Sequence, residues 1–250
     1  MLSYWDQLTA SELDSLGSAV AILPVAATEQ HGPHLPTGTD AFILRGILRA
    51  VADRAGSTVR GIVLPLQAIG WSSEHESFAG TLSLDAELLG RAWAGLGPGL
   101  ERNGLKRLLI LNSHGGNPPA IALAAMRLRT RHGMLVVQTH WEKLARPAEL
   151  APPGAPARDW HAGWIETSVM LHLHPELVAL DKAEIGGAQA MADFAPDETN
   201  PWAWLSADLS SNGVIGDPRL ASAELGKHLV ERAAIGLKAL IEEIARAPWG

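Results

Sequence analysis

The sequence predicts an α/β protein of three layers, α/β/α, around a mostly parallel central sheet, as a single domain over residues 1–250. Two observations predict it. Short, uninterrupted apolar runs alternate with longer segments of helical periodicity, the pattern of βαβ units whose strands are covered on both faces. The unusual polar residues fall in clusters directly after those runs, where an open α/β sheet binds its ligands.

The elements follow in order. Residues 19–26 (AVAILPVA) read as the first strand and 40–54 as a helix. Residues 60–65 read as the second strand and 85–102 as the second helix. Residues 106–112 are the third strand, 118–131 the third helix and 134–139 the fourth strand. The Pro- and Ala-rich segment 147–158 reads as an ordered loop or lid, because helical pattern resumes at 161–173 and again at 219–246. Residues 183–218 read as irregular.

Composition narrows the chemistry. The chain has 10 His and no Cys, so disulfide scaffolds, Cys-ligated zinc, thiolate nucleophiles and Fe–S clusters are excluded. Any metal must be held by imidazole and carboxylate, a donor set for Zn, Mn, Fe or Ni. The formal net charge is −7 without a basic block, which argues against a nucleic-acid partner. The N-terminal stretch carries Asp6, Glu12 and Asp14 and does not read as a signal peptide. No apolar run reaches the roughly 18 residues of a membrane helix. The expectation is a cytoplasmic protein with no membrane partner.

After the first strand comes ATEQHGPHLPTGTD (27–40), after the second WSSEHESFAGT (71–81), after the third NSHGGN (112–117) and after the fourth THWE (139–142). Glu29 and His31 are two apart, so on extended chain they face one side. Asp40 follows at a helix start, where it either caps the helix or offers a carboxylate able to bridge two metal ions. Gly115 and Gly116 after His114 form either an ordinary turn or a close backbone approach that presents N–H groups to an oxyanion. A further cluster, HAGWIETS (161–168), places Glu166 in the first turn of a helix, where the macrodipole alone would favour it, but leaves His161 unexplained. His132, His172 and His174 sit at helix ends, His228 on an amphipathic helix, and His140 reads as a pocket wall. Trp71, Trp141, Trp160 and Trp164 lie in or beside the clusters as candidate pocket walls. The first loop lacks G-x-G-x-x-G, which sets a Rossmann nucleotide binder aside.

In this order, EQHGPHLPTGTD, SSEHESFAGT, NSHGGN, HAGWIETS and GVIGDP resemble the creatininase (creatinine amidohydrolase) family, from about residue 15 to 235. The resemblance implies a creatininase-like fold, usually a homohexamer, and a hydrolase of C–N bonds. It implies two divalent metal ions per subunit, Zn or Mn with Fe in some relatives. Carried over position by position, Glu29, Asp40 and His114 would hold the first metal. His31, Asp40 and Glu166 would hold the second, with Asp40 bridging. His161 matches the catalytic His, with Glu166 beside it. Ser72, Glu74, His75, Gly115, Gly116 and Trp160 would line the substrate site, with His34 beside the site. Creatininase proper carries an aromatic residue and a Glu where this chain has Gly115 and Gly116, and a Trp-Asp pair where it has Ala157 and Arg158. These differences point away from creatinine. They leave a cyclic or related small amide, a formamide or a short peptide as the substrate. A non-catalytic metal-binding module is the alternative from another class.

Overall fold

The computed structural model describes residues 2–13, 16–17, 19–54, 60–186 and 202–249. Its strands are β1 (Leu2–Tyr4), β2 (Val20–Val25), β3 (Gly61–Val63), β4 (Arg107–Asn112) and β5 (Leu135–His140). All pair in parallel, in the order β1-β3-β2-β4-β5. The four predicted strands are there, each within a residue or two of its expected ends. β1 was not predicted. Its three residues are too short to show a period, and it is fixed by pairing Leu2 with Gly61 at the sheet edge.

Alternation along the strands sends side chains into two cores, which makes the three layers. Val20, Ile22, Leu109 and Leu111 face one core. That core is closed by α2 (Thr39–Arg54), α6 (Trp141–Ala145), α7 (Trp164–Leu173) and α9 (Ala223–Arg246). Ala21, Leu23, Leu108 and Ile110 face the other. Its cover is α3 (Ala86–Ala94), α4 (Gly97–Arg102) and α5 (Pro118–His132). The short α1 (Ala10–Leu13) and α8 (Ser206–Leu209) complete the set among the described residues.

Three expectations need correction. The predicted helix 85–102 is two helices, because Pro98 has no N–H to continue the first and instead opens α4. The helix expected from 161 begins at Trp164, because His161 is tied to Ile215 by an isolated antiparallel bridge. The helix expected from 219 begins at Ala223, where the Ser222 hydroxyl accepts from the Leu225 N–H. Of the irregular stretch 183–218, residues 187–201 lie outside the described residues; α8 falls in the rest.

Strand order fixes where a ligand goes. From β2 the chain moves to β3 on one side, then returns past β2 to β4 on the other. The loops leaving β2 and β4 therefore diverge, and a crevice opens at their carboxyl ends. Glu29 and His31 follow β2, and His114 follows β4.

Candidate metal centre

The crevice gathers the acids and imidazoles of four segments. Glu29, His31, Asp40, His114, His161 and Glu166 are all buried. With the half-buried Glu74 they form three groupings whose ligand atoms lie within 4.8 Å of one another: Glu29 with His31 and His161, Glu29 with Glu74 and His114, and His31 with Asp40 and Glu166.

The tautomers are set from behind. His31 Nδ1 lies 3.0 Å from the Glu29 carbonyl, to which it donates. Its Nε2 is left without a hydrogen-bond partner, 3.9 Å from Asp40 Oδ1 and 3.7 Å from Glu166 Oε2. His114 is oriented the other way round. Its Nε2–H is held by the Trp71 carbonyl at 2.8 Å, with Glu74 Oε1 at 3.2 Å. Its Nδ1 faces Glu29 Oε1 at 3.1 Å and Asp40 Oδ2 at 3.7 Å. Asp40 thus stands between two imidazoles, one oxygen toward each, and Oδ2 has no hydrogen-bond partner. Buried polar atoms are rarely left unmet. Two orphaned atoms, His31 Nε2 and Asp40 Oδ2, within a cluster of carboxylates and back-bonded imidazoles fit a metal site whose outer partners orient the ligands.

Electrostatics tell the same story. Burial opposes a charge on His31, but Glu166, Asp40 and Glu29 override it and push its pKa up to about 10. His114 is also raised: burial opposes the charge, and Glu29, Glu74 and Asp40 outweigh it. Asp40 is pushed well above its ordinary value by burial and by Glu29. The pocket therefore calls for positive charge, supplied here by protons on its imidazoles.

His161 differs. Its Nε2–H donates to the Gln30 carbonyl at 2.7 Å, and its Nδ1 lies 3.5 Å from Glu29 Oε1. Burial and then His31 lower its pKa, so the ring is neutral and Nδ1 is a base. The bridge to Ile215 explains the GVIGDP segment, which grips the backbone of His161. Glu166 is anchored next door: its Oε2 accepts from the Ala162 N–H at 2.7 Å. Burial works against its charge, but His31, by charge and hydrogen bond, and that N–H lower its pKa to about 2.

Over the cluster lies a cavity of about 820 Å³. Glu74, His75, Gly115, Gly116 and Trp160 line it as expected. Ser72 does not. It is fully buried and its hydroxyl donates to Glu29 Oε2, so it fixes the Glu29 carboxylate from behind, while Ser73 faces the cavity. Trp141 and Trp164 belong to the core, not the walls: both are buried in the cluster under α2, α6, α7 and α9 and neither lines the cavity. His34 is also outside the lining; it bonds Thr167 Oγ1 at 2.9 Å under the loop. The helix after Gly116 is a poorer oxyanion site than expected, since Pro118 and Pro119 at its start carry no N–H. Gly116 itself is required for close approach: a Cβ there would lie 2.2 Å from the Trp71 carbonyl and 2.5 Å from His114 Nε2.

Other parts of the site were not found in the sequence. Asp159 accepts from the N–H groups of Trp164, Ile165 and Asp217 and so fixes the start of α7. Its offset from the helix is longer than a capping motif allows, so no signal marked it. Ser206 reaches His75 Nε2 at 3.0 Å from 131 residues away. Trp202 and Trp204 join the rim, Trp204 at 6.2 Å between ring centroids from Trp160. Glu142, from the THWE cluster, lines the cavity too.

Comparisons with known proteins agree. Residues 6–241 match the creatininase (creatinine amidohydrolase) family profile. The chain is 35% identical over 236 residues to a mycofactocin precursor peptide peptidase of Mycobacterium ulcerans (strain Agy99), covering 88% of this chain and 83% of that protein. It is 31% identical over 246 residues to a creatinine amidohydrolase of Pseudomonas putida, covering 91% and 90%. The Mn form of creatininase superposes with a TM-score of 0.79 at 27% identity, covering 96% of this chain and 97% of that one. With the parallel sheet, the acid–imidazole cluster and these matches together, the chain belongs to the creatininase family of C–N bond hydrolases.

Proposed function

We propose that this protein is a dinuclear metal-dependent amidohydrolase that cleaves a peptide or comparably sized amide rather than creatinine. The observation that carries the two-ion reading is Asp40, with Oδ1 toward His31 Nε2 and Oδ2 toward His114 Nδ1. Glu29, Asp40 and His114 would hold one ion and His31, Asp40 and Glu166 a second, with the Asp40 carboxylate shared between them. Two divalent ions there, zinc or manganese by their ligand types, would polarise the scissile carbonyl and lower the pKa of water.

The chain's own residues do the rest. Glu29, fixed by Ser72, and Glu166, fixed by Ala162, hold the floor of the site rigid. His161 is neutral and anchored through Nε2, so Nδ1 takes a proton from the attacking water and returns it to the leaving nitrogen. The cavity of about 820 Å³ matches a drug-sized or oligopeptide ligand, far larger than a single small ring. A peptidase among the relatives supports this choice. The same reading takes the protein as a cytoplasmic homohexamer. Exposed Leu88, Leu123 and Met126 on the outer face of α3 and α5 support a self-association surface, which light scattering tests.

The test is metal analysis of purified protein, then a panel of creatinine, N-formyl amines and short peptides. Peptide turnover with close to two ions per chain is expected. Activity that survives complete chelation would overturn the proposal. His161→Ala is expected to keep its metal and lose about 10²–10⁴ in kcat; a variant of normal rate would remove His161 from proton transfer.

A further inference from the structure

The proposed ligands leave part of the cavity unexplained. Glu142 lines it from the first turn of α6, two residues beyond His140, which pairs with Asn112 across β4 and β5. Glu142 therefore stands beside the loop that carries His114, at the same edge of the sheet. Its side chain pairs with no described cation. Burial, then Glu166 and Asp159, push its pKa up to about 8, so it is largely protonated while no cation is near, and a cation placed against it favours the ionised form.

No Lys or Arg lines the cavity among the described residues, although 20 are present in the chain. Glu74 adds a second carboxylate outside the proposed ligand set. The rim, by contrast, is indole: Trp71, Trp160, Trp202 and Trp204. Trp160 already takes a cation on its ring, since the Arg158 guanidinium, itself outside the lining, sits 5.6 Å from its centroid. Indole faces attract cations, most strongly where water is excluded. A charge-assisted hydrogen bond to a carboxylate adds to that attraction.

We propose that the cavity recognises its substrate through a protonated amine or similar N–H-rich cationic group, with Glu142 as the counter-charge and the indole rim as the apolar and π surface. The inference rests on the amidohydrolase reading for the word substrate, but the binding site stands without it. A free carboxylate finds no Lys or Arg in the lining among the described residues, Arg158 lying outside it over Trp160.

The test compares two probes of one shape on the metal-loaded protein: phenethylamine, a cation at neutral pH, and 2-phenylethanol, its neutral counterpart. Binding is read by tryptophan fluorescence and by calorimetry. The ammonium is expected to bind about 10-fold more tightly than the alcohol, in line with a charge-assisted contact. Glu142→Gln is expected to bring the two within about 2-fold, and Glu142→Asp to restore most of the difference. Equal affinity in the wild type overturns the inference, as does a failure of the ammonium to bind. A preference that survives unchanged in Glu142→Gln overturns the role of Glu142. If the preference holds while no amide is hydrolysed, the hydrolase reading falls and the cation site remains. If amides are hydrolysed with no such preference, only this inference falls.

Discussion

Ala162 is fully buried and sits at φ 53°, a conformation that costs an alanine about 1–2 kcal/mol. The reason is its N–H, which this conformation aims at Glu166. Ala162→Gly is expected to fold with stability within about 1 kcal/mol of wild type, because relief of strain offsets the added freedom of the unfolded chain. Ala162→Val adds bulk and β-branching at the same φ and is expected to lose about 2 kcal/mol or more, read by chemical denaturation. A Val variant as stable as wild type would mean that the turn is not held. His34 carries a second expectation. Burial, reinforced by His31, depresses its pKa from 6.5 to about 4. The unfolded chain then binds the proton better, so stability is full above about pH 6.5 and falls as pH drops toward 4. The loss is about 3 kcal/mol at most, and His34→Gln should flatten that part of the stability curve measured by urea melts. At this scale the sequence showed Glu29, His31, Asp40, His114, His161 and Glu166, because each lies in a short motif next to a strand or helix end. It did not show Asp159, which reaches α7 from beyond capping distance and Asp217 from 58 residues away, or Ser206 and Trp204, whose partners His75 and Trp160 lie on remote loops.

The elements place those residues by a few close contacts. α7 carries Glu166 and packs across α9, where Gly226 faces the backbone of Ser168; a Cβ there would lie 1.8 Å from the Ser168 carbonyl oxygen. The two helices can cross so near only because that position has no side chain. Gly226→Ala is expected to push α7 outward, to cost about 1–3 kcal/mol, and to weaken metal binding through Glu166. Gly236→Ala, 3.2 Å from the Leu144 side chain, should be milder. Melting temperature and metal affinity measured together check this; a Gly226→Ala protein with both unchanged would show that α7 does not depend on the crossing. Strands were readable as uninterrupted apolar runs buried on both faces, and long helices because their period repeats over several turns. The break at Pro98 and the late start of α7 were not. The first is a backbone limit inside a helical pattern, and the second is set by the remote Ile215 bridge.

Across the whole molecule, the switch-point crevice brings Glu29, Asp40 and Glu166 together in a buried space, and folding must absorb their repulsion. Protons on His31 and His114 do so in part, which is why those pKa values rise. A divalent ion would serve better, and to bind it would have to displace those protons, so metal affinity is expected to rise with pH and uptake to release protons. Because the unfolded chain scatters these ligands, binding stabilises the fold by RT ln(1 + [L]/Kd), about 2.7 kcal/mol at a hundredfold excess over Kd. For a domain of this size that corresponds to a rise of roughly 5–10 °C in Tm. Protein stripped with chelator and reloaded with Zn or Mn is expected to show that rise at pH 7.5 and a smaller one at pH 6. Proton release should appear as acidification in weakly buffered solution. Asp40→Asn, which removes the shared carboxylate, is expected to abolish both signals while leaving the far-UV spectrum of the fold intact. A wild-type protein that melts at one temperature with and without metal would show that the acid–imidazole cluster is a neutralised core rather than a metal centre.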